Sequence, residues 1–198
     1  MGTPALVHHS ARGAHGGSQG VGQVLEDLEV VRRLEAAAAD ELRRNFEDDP
    51  NFIVPGVDWI RTARRVLTTD WIDGVQLHDR DALVNQGHDL ENVVANLAGA
   101  FFLQIFRDGF FHADLHPGNL FIAEDGAVIA VDFGIMGRVD KKTRQYLAEM
   151  LLGFLTGDYQ RVAEVHFRAG YVPAGQSVDA FAQAARSIAE PILGLPLN

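Results

Sequence analysis

The sequence that decides the fold of this chain is FHADLHPGN at residues 111–119, with DFG at residues 132–134. A helix-forming stretch, residues 89–107, precedes the first motif and carries apolar side chains at helical spacing. We expect this helix to end at Asp108-Gly109, because glycine adopts a positive φ without steric cost. The sequence therefore predicts a polar loop that follows directly on the end of a helix.

The residues between the two motifs predict a β-hairpin. Two short apolar runs, 120–123 and 127–131, flank Glu124-Asp125-Gly126. An Asp-Gly turn between apolar runs is a strong hairpin signal. A two-stranded ribbon of this length would return the chain to its starting point, so we expect Asp132 to lie beside Asn119.

Asp114, Asn119 and Asp132 are the residue types that phosphoryl transfer requires. Nucleotide phosphates are bridged by Mg²⁺, which prefers carboxylate and amide oxygens. A further carboxylate orients the acceptor hydroxyl and takes its proton. The spacing Asp-x-x-x-x-Asn matches the kinase catalytic loop, and Asp-Phe-Gly matches the metal-binding turn. We therefore predict Asp114 as catalytic and the other two as metal and nucleotide ligands, with Gly134 allowing the reversal after Asp132.

The histidines of the first motif leave alternatives open. His112 is a candidate for the catalytic group, and its favoured role is to pack against and hydrogen-bond the metal-binding turn. His116 fits loop support and a phosphate or substrate contact equally well. A rival hypothesis takes His112, Asp114 and His116 as alternating ligands of a zinc or iron hydrolase. That site needs further ligands downstream, and His166 lies within a helical pattern.

Composition narrows the class of protein. The 198 residues are 47% hydrophobic and 22% charged, which is typical of soluble globular proteins. A net charge of −10 disfavours a nucleic-acid partner, because phosphate backbones attract Lys and Arg. The absence of cysteine excludes disulfides and thiolate metal sites. We expect neither a membrane-spanning helix nor a secretion signal, because no apolar run is long enough and no basic-then-apolar pattern opens the sequence.

The remaining sequence predicts an α+β layout. Residues 1–22, rich in Gly, Ser and His, are expected to be a disordered or foreign leader, and residues 23–198 a partial kinase-like domain. Residues 24–48 predict one long helix or two shorter ones, and 52–55 and 66–71 read as strands. Three more helices are expected after the second motif, with N-caps at Asp140, Asp158 and Ser177.

The segments HADLHPGN and VDFG resemble the UbiB, or AarF, family of atypical protein-kinase-like proteins. Residues 45–77 are similar to that family's approach to the hinge, and residues 134–159 to the stretch after its metal-binding turn. The similarity covers roughly residues 35–193. It implies a protein-kinase-like α+β fold, mostly the helical C-lobe, with an incomplete N-lobe.

The resemblance implies an ATP-binding, Mg²⁺-dependent kinase or ATPase that supports ubiquinone (coenzyme Q) biosynthesis or isoprenoid-lipid metabolism. The implied partners are a nucleotide and an isoprenoid quinone lipid or membrane surface, with a location in the cytoplasm or at the periphery of the inner membrane. Asp70, Trp71 and Ile72 resemble the hinge, whose backbone groups bind adenine. Glu35 resembles the glutamate of the family's Glu-Ala-Ala-Asn segment, with Ala38 in place of the asparagine.

The lysine count departs from the family pattern. The family's phosphate-contacting lysine, Lys-x-Gly-Gln segment and alanine-rich loop have no counterpart here, because the only lysines are Lys141 and Lys142. We therefore expect a fragment whose activity is impaired, with Arg43 or Arg44 as conceivable substitutes for the lysine. The alternatives are an aminoglycoside- or choline-type phosphotransferase, and a non-catalytic pseudokinase that only binds.

Overall fold

The computed structural model describes residues 5–8, 18–63, 65–173 and 175–193. The chain divides into two units, Met1–Arg138 and Val139–Asn198. Of the predicted leader, residues 1–4 and 9–17 lie outside the described residues. Its other residues form a short strand, β1 (Ala5–His8), and the first turn of helix α1 (Ser18–Asn45).

Helix α1 is one continuous helix, which was one of the two possibilities that the sequence allowed. Ala39, Leu42 and Phe46 recur at the three- to four-residue spacing of a helix face and are buried in the core of the first unit. Phe46 continues this face just beyond the helix end, and its ring lies 4.7 Å from that of Phe52. The apolar face of α1 therefore packs directly against the first strand of the sheet.

The sheet of the first unit has four strands in the order β2-β7-β6-β4, and β3 pairs separately with β1. The strand bounds are β2 (Phe52–Ile53), β3 (Leu67–Asp70), β4 (Val75–Gln76), β5 (Phe110–His112), β6 (Leu120–Ile122), β7 (Val128–Ala130) and β8 (Met136–Arg138). β2 runs parallel to β7, whereas β4 and β7 are both antiparallel to β6. The central pair, β6 and β7, is the predicted hairpin, and its register places Leu120 opposite Ala130. Gly126 makes the turn with a φ of 89°.

Two helices precede the candidate loop, and a pair of strands flanks it. The helices are α2 (Arg80–Asn85) and α3 (Leu90–Phe102), and α3 continues into a π-helical turn, Leu103–Asp108. Gly109 ends that turn with a φ of 64°, as expected. β5 follows at once and pairs antiparallel with β8. The helix predicted at 89–107 is thus confirmed, but its last turn is wider than a regular α-helix.

The second unit consists of three helices, α4 (Lys141–Thr156), α5 (Tyr159–Arg168) and α6 (Val178–Leu193). Their predicted caps are confirmed, since the side chains of Asp140, Asp158 and Ser177 accept hydrogen bonds from the first-turn backbone N–H groups. α5 and α6 bury Tyr159 and Ala182 in a small core of their own. Among the helices of the described residues, none combines the length and hydropathy needed to cross a membrane.

Candidate active site

His112 lies at the end of β5 with its ring buried, and it connects the two motifs. Its Nδ1 accepts a hydrogen bond from the backbone N–H of Asp114 at 3.1 Å. Because a backbone N–H can only donate, Nδ1 carries no proton, so Nε2 carries it and donates to the carbonyl oxygen of Val131 at 3.1 Å. Both ring nitrogens are therefore occupied by the main chain. This arrangement favours the supporting role predicted for His112 over a direct part in catalysis or in a zinc or iron site.

Asn119 closes the loop that begins at Asp114. Its side-chain nitrogen Nδ2 donates to the Asp114 carbonyl oxygen at 3.0 Å. Its own carbonyl oxygen accepts a hydrogen bond from the Val131 N–H at 2.9 Å. With Nδ2 committed in this way, the amide oxygen Oδ1 is the group of Asn119 that can bind a cation.

These contacts form a closed ring of four hydrogen bonds, which we call the four-bond ring. It runs from Asp114 to His112, from His112 to Val131, from Val131 to Asn119 and from Asn119 back to Asp114. The ring joins the first motif to the residue immediately before Asp132. The structure therefore brings Asp114, Asn119 and Asp132 to one end of the hairpin, as the sequence predicted.

Asp132 makes the sharp turn of the second motif. Its φ is 62°, a left-handed conformation that no other described non-glycine residue adopts. Asp and Asn enter this region more readily than other side chains. Gly134 lies in the turn that follows, as predicted, but it is not among the described glycines with positive φ, so the left-handed residue of the reversal is Asp132. A Cβ at Gly134 would lie 3.2 Å from the Asp132 Oδ1, so the exposed Asp132 side chain would have to shift slightly to make room for it.

The β5–β8 pair holds the second motif against the first. Phe133 is buried and presents its ring to that of His112 at 5.4 Å between centroids. The backbone N–H of Ala113 donates to the Ile135 carbonyl oxygen at 3.0 Å. Both flanks of the metal-binding turn are thus attached to the catalytic loop, one by ring packing and one by a backbone hydrogen bond.

The predicted hinge lies at the end of β3. The backbone N–H of Asp70 donates to the Gly56 carbonyl oxygen at 2.8 Å, so this donor is not free for a purine base. Trp71 is half exposed and donates its indole N–H to Asp73 at 3.1 Å. Within the described residues, β4 connects the segment 70–72 to β6 at the Ile122 end, away from Asn119. The structure therefore places the hinge candidates in the same unit as the catalytic loop, toward the end of β6 opposite Asn119.

A cleft of about 620 Å³ opens beside the hinge candidates. Asp40 and Arg43 of α1, Trp59, and Asp70 of β3 contribute to its walls. Of the predicted site residues, Asp70 alone lines it. This cleft is therefore separate from the four-bond ring, and it does not by itself identify a nucleotide pocket.

The arginines considered as substitutes for the family lysine lie on α1 and pair within the helix. Arg43 and Arg44 both contact Asp40. Glu35 is buried and forms an ion pair with Arg32 one turn earlier. These contacts do not support either arginine as a substitute for the family lysine, because the side chains of Arg43 and Arg44 both pair with the Asp40 carboxylate in their own helix.

The candidate metal ligands are one amide and one carboxylate. Among the described residues, no three His, Cys, Asp or Glu side chains are grouped closely enough to hold a metal ion. Mg²⁺ does not require such a group, since it is commonly held by one or two carboxylates together with substrate phosphates and water. Asn119 and Asp132 fit that pattern. They do not fit the hydrolase hypothesis, which needs a cluster of histidines and carboxylates.

Sequence reasoning missed Gln104, whose side chain is completely buried beside the catalytic loop. Its Oε1 accepts a hydrogen bond from the His112 backbone N–H at 2.8 Å. The available signal was that Gln104 interrupts an otherwise apolar stretch of the α3 helix and its continuation. A polar side chain on a buried helix face needs a partner, and the partner here is the loop itself.

Comparison with known proteins agrees with this geometry. Residues 25–166 match the family described as the ABC1 atypical kinase-like domain. The chain is 42% identical over 179 residues to a "Probable protein kinase UbiB" of Azotobacter vinelandii, covering 88% of this chain and 33% of that protein. It is 41% identical over 178 residues to the protein of the same name from Photobacterium profundum, covering 88% and 32%. The chain thus spans about a third of the length of these curated relatives.

A solved structure supports the fold. The complex of Rv3197 with erythromycin, from Mycobacterium tuberculosis, superposes with a TM-score of 0.59 and 25% sequence identity over 87% of this chain and 43% of that one. The expected protein-kinase-like α+β fold, with its catalytic loop and hairpin, is confirmed. The four-bond ring and the match over residues 25–166 lead to one conclusion, with which the identity to the two curated relatives agrees: the chain belongs to the family of ABC1 atypical kinase-like domains.

Proposed function

We propose that this chain carries the catalytic-loop and metal-binding residues of a UbiB-type atypical kinase or ATPase that uses ATP and Mg²⁺. The observation that supports this proposal is the four-bond ring, which fixes Asp114 and Asn119 relative to the residue before Asp132. Phosphoryl transfer depends mainly on such positioning, together with the stabilisation of charge.

Each residue has a distinct proposed role. Asp114 orients the acceptor hydroxyl and takes its proton. The Asn119 amide oxygen and the Asp132 carboxylate hold Mg²⁺, which would neutralise charge on the phosphates. Trp71 and Ile72 supply hinge backbone groups for adenine, since the Asp70 N–H is bonded to Gly56.

The biological context of the reaction is also a proposal. The relatives' name, UbiB, supports a role in ubiquinone biosynthesis or isoprenoid-lipid metabolism. An isoprenoid quinone lipid or a membrane surface is then the expected partner besides the nucleotide, at the cytoplasmic face of the inner membrane. We propose no nucleic-acid partner, because the net charge of −10 disfavours binding to phosphate backbones.

Nucleotide-dependent thermal stabilisation tests the metal assignment. Ligand at about ten times its Kd stabilises the folded state by about 1.4 kcal/mol, or about 3 to 6 °C in Tm for a chain of this size. We expect ATP to raise the Tm only when Mg²⁺ is present. Asp132→Asn should abolish the shift, and Glu124→Gln, a matched charge change at the exposed hairpin turn, should preserve it. An equal shift in the Asp132 variant would refute the assignment.

A pseudokinase that binds nucleotide without turnover is the second candidate. The observation that favours it is the lysine count, since Lys141 and Lys142 both follow the metal-binding turn. Phosphate positioning would then rely on groups other than a lysine from this sequence, and we expect turnover to be slow. Steady-state ATP hydrolysis that Asp132→Asn abolishes would exclude this candidate. The small-molecule phosphotransferase gains no support, because Glu149 in α4 is engaged by Arg161 and Arg168.

A further inference from the structure

Gln104 connects the end of α3 to the strand that leads into the catalytic loop. Its main-chain oxygen accepts a hydrogen bond from the Gly109 N–H, which closes the π-helical turn. Its side-chain Oε1 accepts a hydrogen bond from the His112 N–H at 2.8 Å. One residue therefore holds both the beginning and the end of the four-residue segment 109–112.

The side chain of Gln104 also supplies β5 with a hydrogen-bond acceptor, as a neighbouring strand would. β8 lies along one side of β5, and on that side the carbonyl oxygen of Ile135, the residue just before β8, accepts a hydrogen bond from the Ala113 N–H. The His112 N–H has its partner in the Gln104 carboxamide. π-helical turns inside α-helices are frequent at functional sites, and here the wider turn brings a polar side chain to the strand edge.

Burying this carboxamide is unfavourable. Gln104 is 0% exposed, and its side-chain nitrogen Nε2 has no hydrogen-bond partner among the described residues. A buried polar nitrogen left without a partner destabilises the folded chain, and a methionine of similar shape would fill the site without that penalty. The hydrogen bond from the His112 N–H is the contribution that an apolar residue at position 104 could not make.

We propose that Gln104 is a positioning residue for the candidate active site. By fixing the His112 backbone, it holds the imidazole in place to bind both the Asp114 N–H and the Val131 carbonyl oxygen. Gln104 thereby sets the placement of the four-bond ring without touching Asp132. The expected effect of Gln104 on nucleotide binding rests on the proposed function, whereas its effect on the backbone at His112 does not.

Amide hydrogen exchange of Gln104→Met, measured by NMR on the 198-residue chain, tests this placement. We expect exchange to accelerate about tenfold at the His112 amide, which loses its acceptor, and at the Asp114 amide, which depends on the His112 ring. The Val128 amide, bonded to the Asn51 carbonyl oxygen, is the internal reference and should not change. Gln86→Met, at an exposed position, is the matched control.

Gln104→Glu is the rescue variant, measured at a pH low enough to keep the buried carboxyl neutral, because the neutral group adds no buried charge and retains a carbonyl oxygen that can accept the His112 N–H. It should restore protection at His112 and Asp114, and it decides the question if the methionine variant does not fold. Unchanged exchange at Asp114 in Gln104→Met, an equal acceleration at Val128, or no rescue by glutamate would overturn the proposal.

The nucleotide arm separates this proposal from the proposed function. Gln104→Met should weaken Mg·ATP binding about tenfold, in keeping with the loss of a hydrogen bond that supports the site. If parent and variant both fail to bind Mg·ATP while Asp114 exchange still accelerates, the positioning role stands and the proposed function fails. If Mg·ATP binds equally well to both and Asp114 exchange does not change, the positioning role fails alone.

Discussion

Asp132 combines a left-handed backbone with a proposed metal-binding carboxylate, and substitution can separate the two properties. Its φ is 62°, and its side chain is exposed, so burial contributes little to its role. Its Oδ1 lies 3.4 Å from the Gly134 N–H, which is a long and weak hydrogen bond. Stability changes at this position should therefore follow the backbone conformation of the new residue.

The expected magnitudes can be worked out for three variants. Asp132→Asn retains a side-chain oxygen and tolerates positive φ, so its free energy of unfolding should be nearly that of the parent chain. Asp132→Ala should lower the free energy of unfolding by about 1–2 kcal/mol, the cost of a left-handed conformation for an ordinary side chain. Asp132→Gly avoids that strain but gains entropy in the unfolded chain, by about 0.4–1 kcal/mol, and should fall between them.

Urea unfolding followed by tryptophan fluorescence measures this order, since Trp59 and Trp71 both lie in the first unit. The three variants should share one m-value, which shows that the surface exposed on unfolding is the same. All three should lose the Mg²⁺-dependent stabilisation by ATP. The reasoning from backbone strain would be refuted if the alanine and asparagine variants were equally stable, or if the glycine variant were less stable than the alanine variant.

Three further predictions concern packing, helix propensity and pH. A Cβ at Gly137 would lie 2.3 Å from the Phe111 ring, so Gly137→Ala should destabilise the chain by about 1–3 kcal/mol in urea unfolding. Gly99→Ala in α3, which has open space, should instead stabilise it by about 0.5–1 kcal/mol. The hydrogen bond from Arg168 lowers the pKa of Glu149 below its usual 4.5, so the stabilisation exists above that pH and disappears as pH falls through the lower folded-state pKa. Glu149→Gln should therefore unfold more easily than the parent at pH 7, and the two urea midpoints should approach each other as pH falls below 4.5.

A separate result in urea unfolding would contradict the prediction for Gly137 and the prediction for Glu149. Gly137→Ala as stable as the parent would show that the Phe111 ring moves aside without cost. A Glu149→Gln deficit that does not shrink as pH falls below 4.5 would show that the side chain acts through packing and not through its charge.

Elements with strong local signals were predictable from the sequence. The hairpin is specified by an Asp-Gly turn between apolar runs, and the three helices of the second unit begin at residues that cap their own N-termini. Neither signal depends on residues elsewhere in the chain. The approach of Asp132 to Asn119 followed from the hairpin, because its two ends must meet, whereas Asp114 is held by its hydrogen bonds to His112 and Asn119.

Elements that depend on distant partners were not predictable. β4 and β8 are two and three residues long, too short for a periodic pattern, and they exist because β6 and β5 offer them hydrogen bonds. α2 is a six-residue helix with little room for periodicity. The left-handed Asp132 was missed because a neighbouring glycine offered an easier explanation for the turn. The burial of Gln104 was missed because only the folded loop supplies its partner.

The parallel pairing of β2 with β7 has a consequence for how the protein is made. Phe52 and Val128 are more than seventy residues apart in the chain, yet they face each other in the sheet. During synthesis on the ribosome, β2 emerges long before β7, so it cannot pair in the sheet until β7 has been synthesised. The hairpin can close within microseconds once residue 130 is free. Until then β2 has no strand to pair with, and the sheet is completed only after the FHADLHPGN loop has been synthesised.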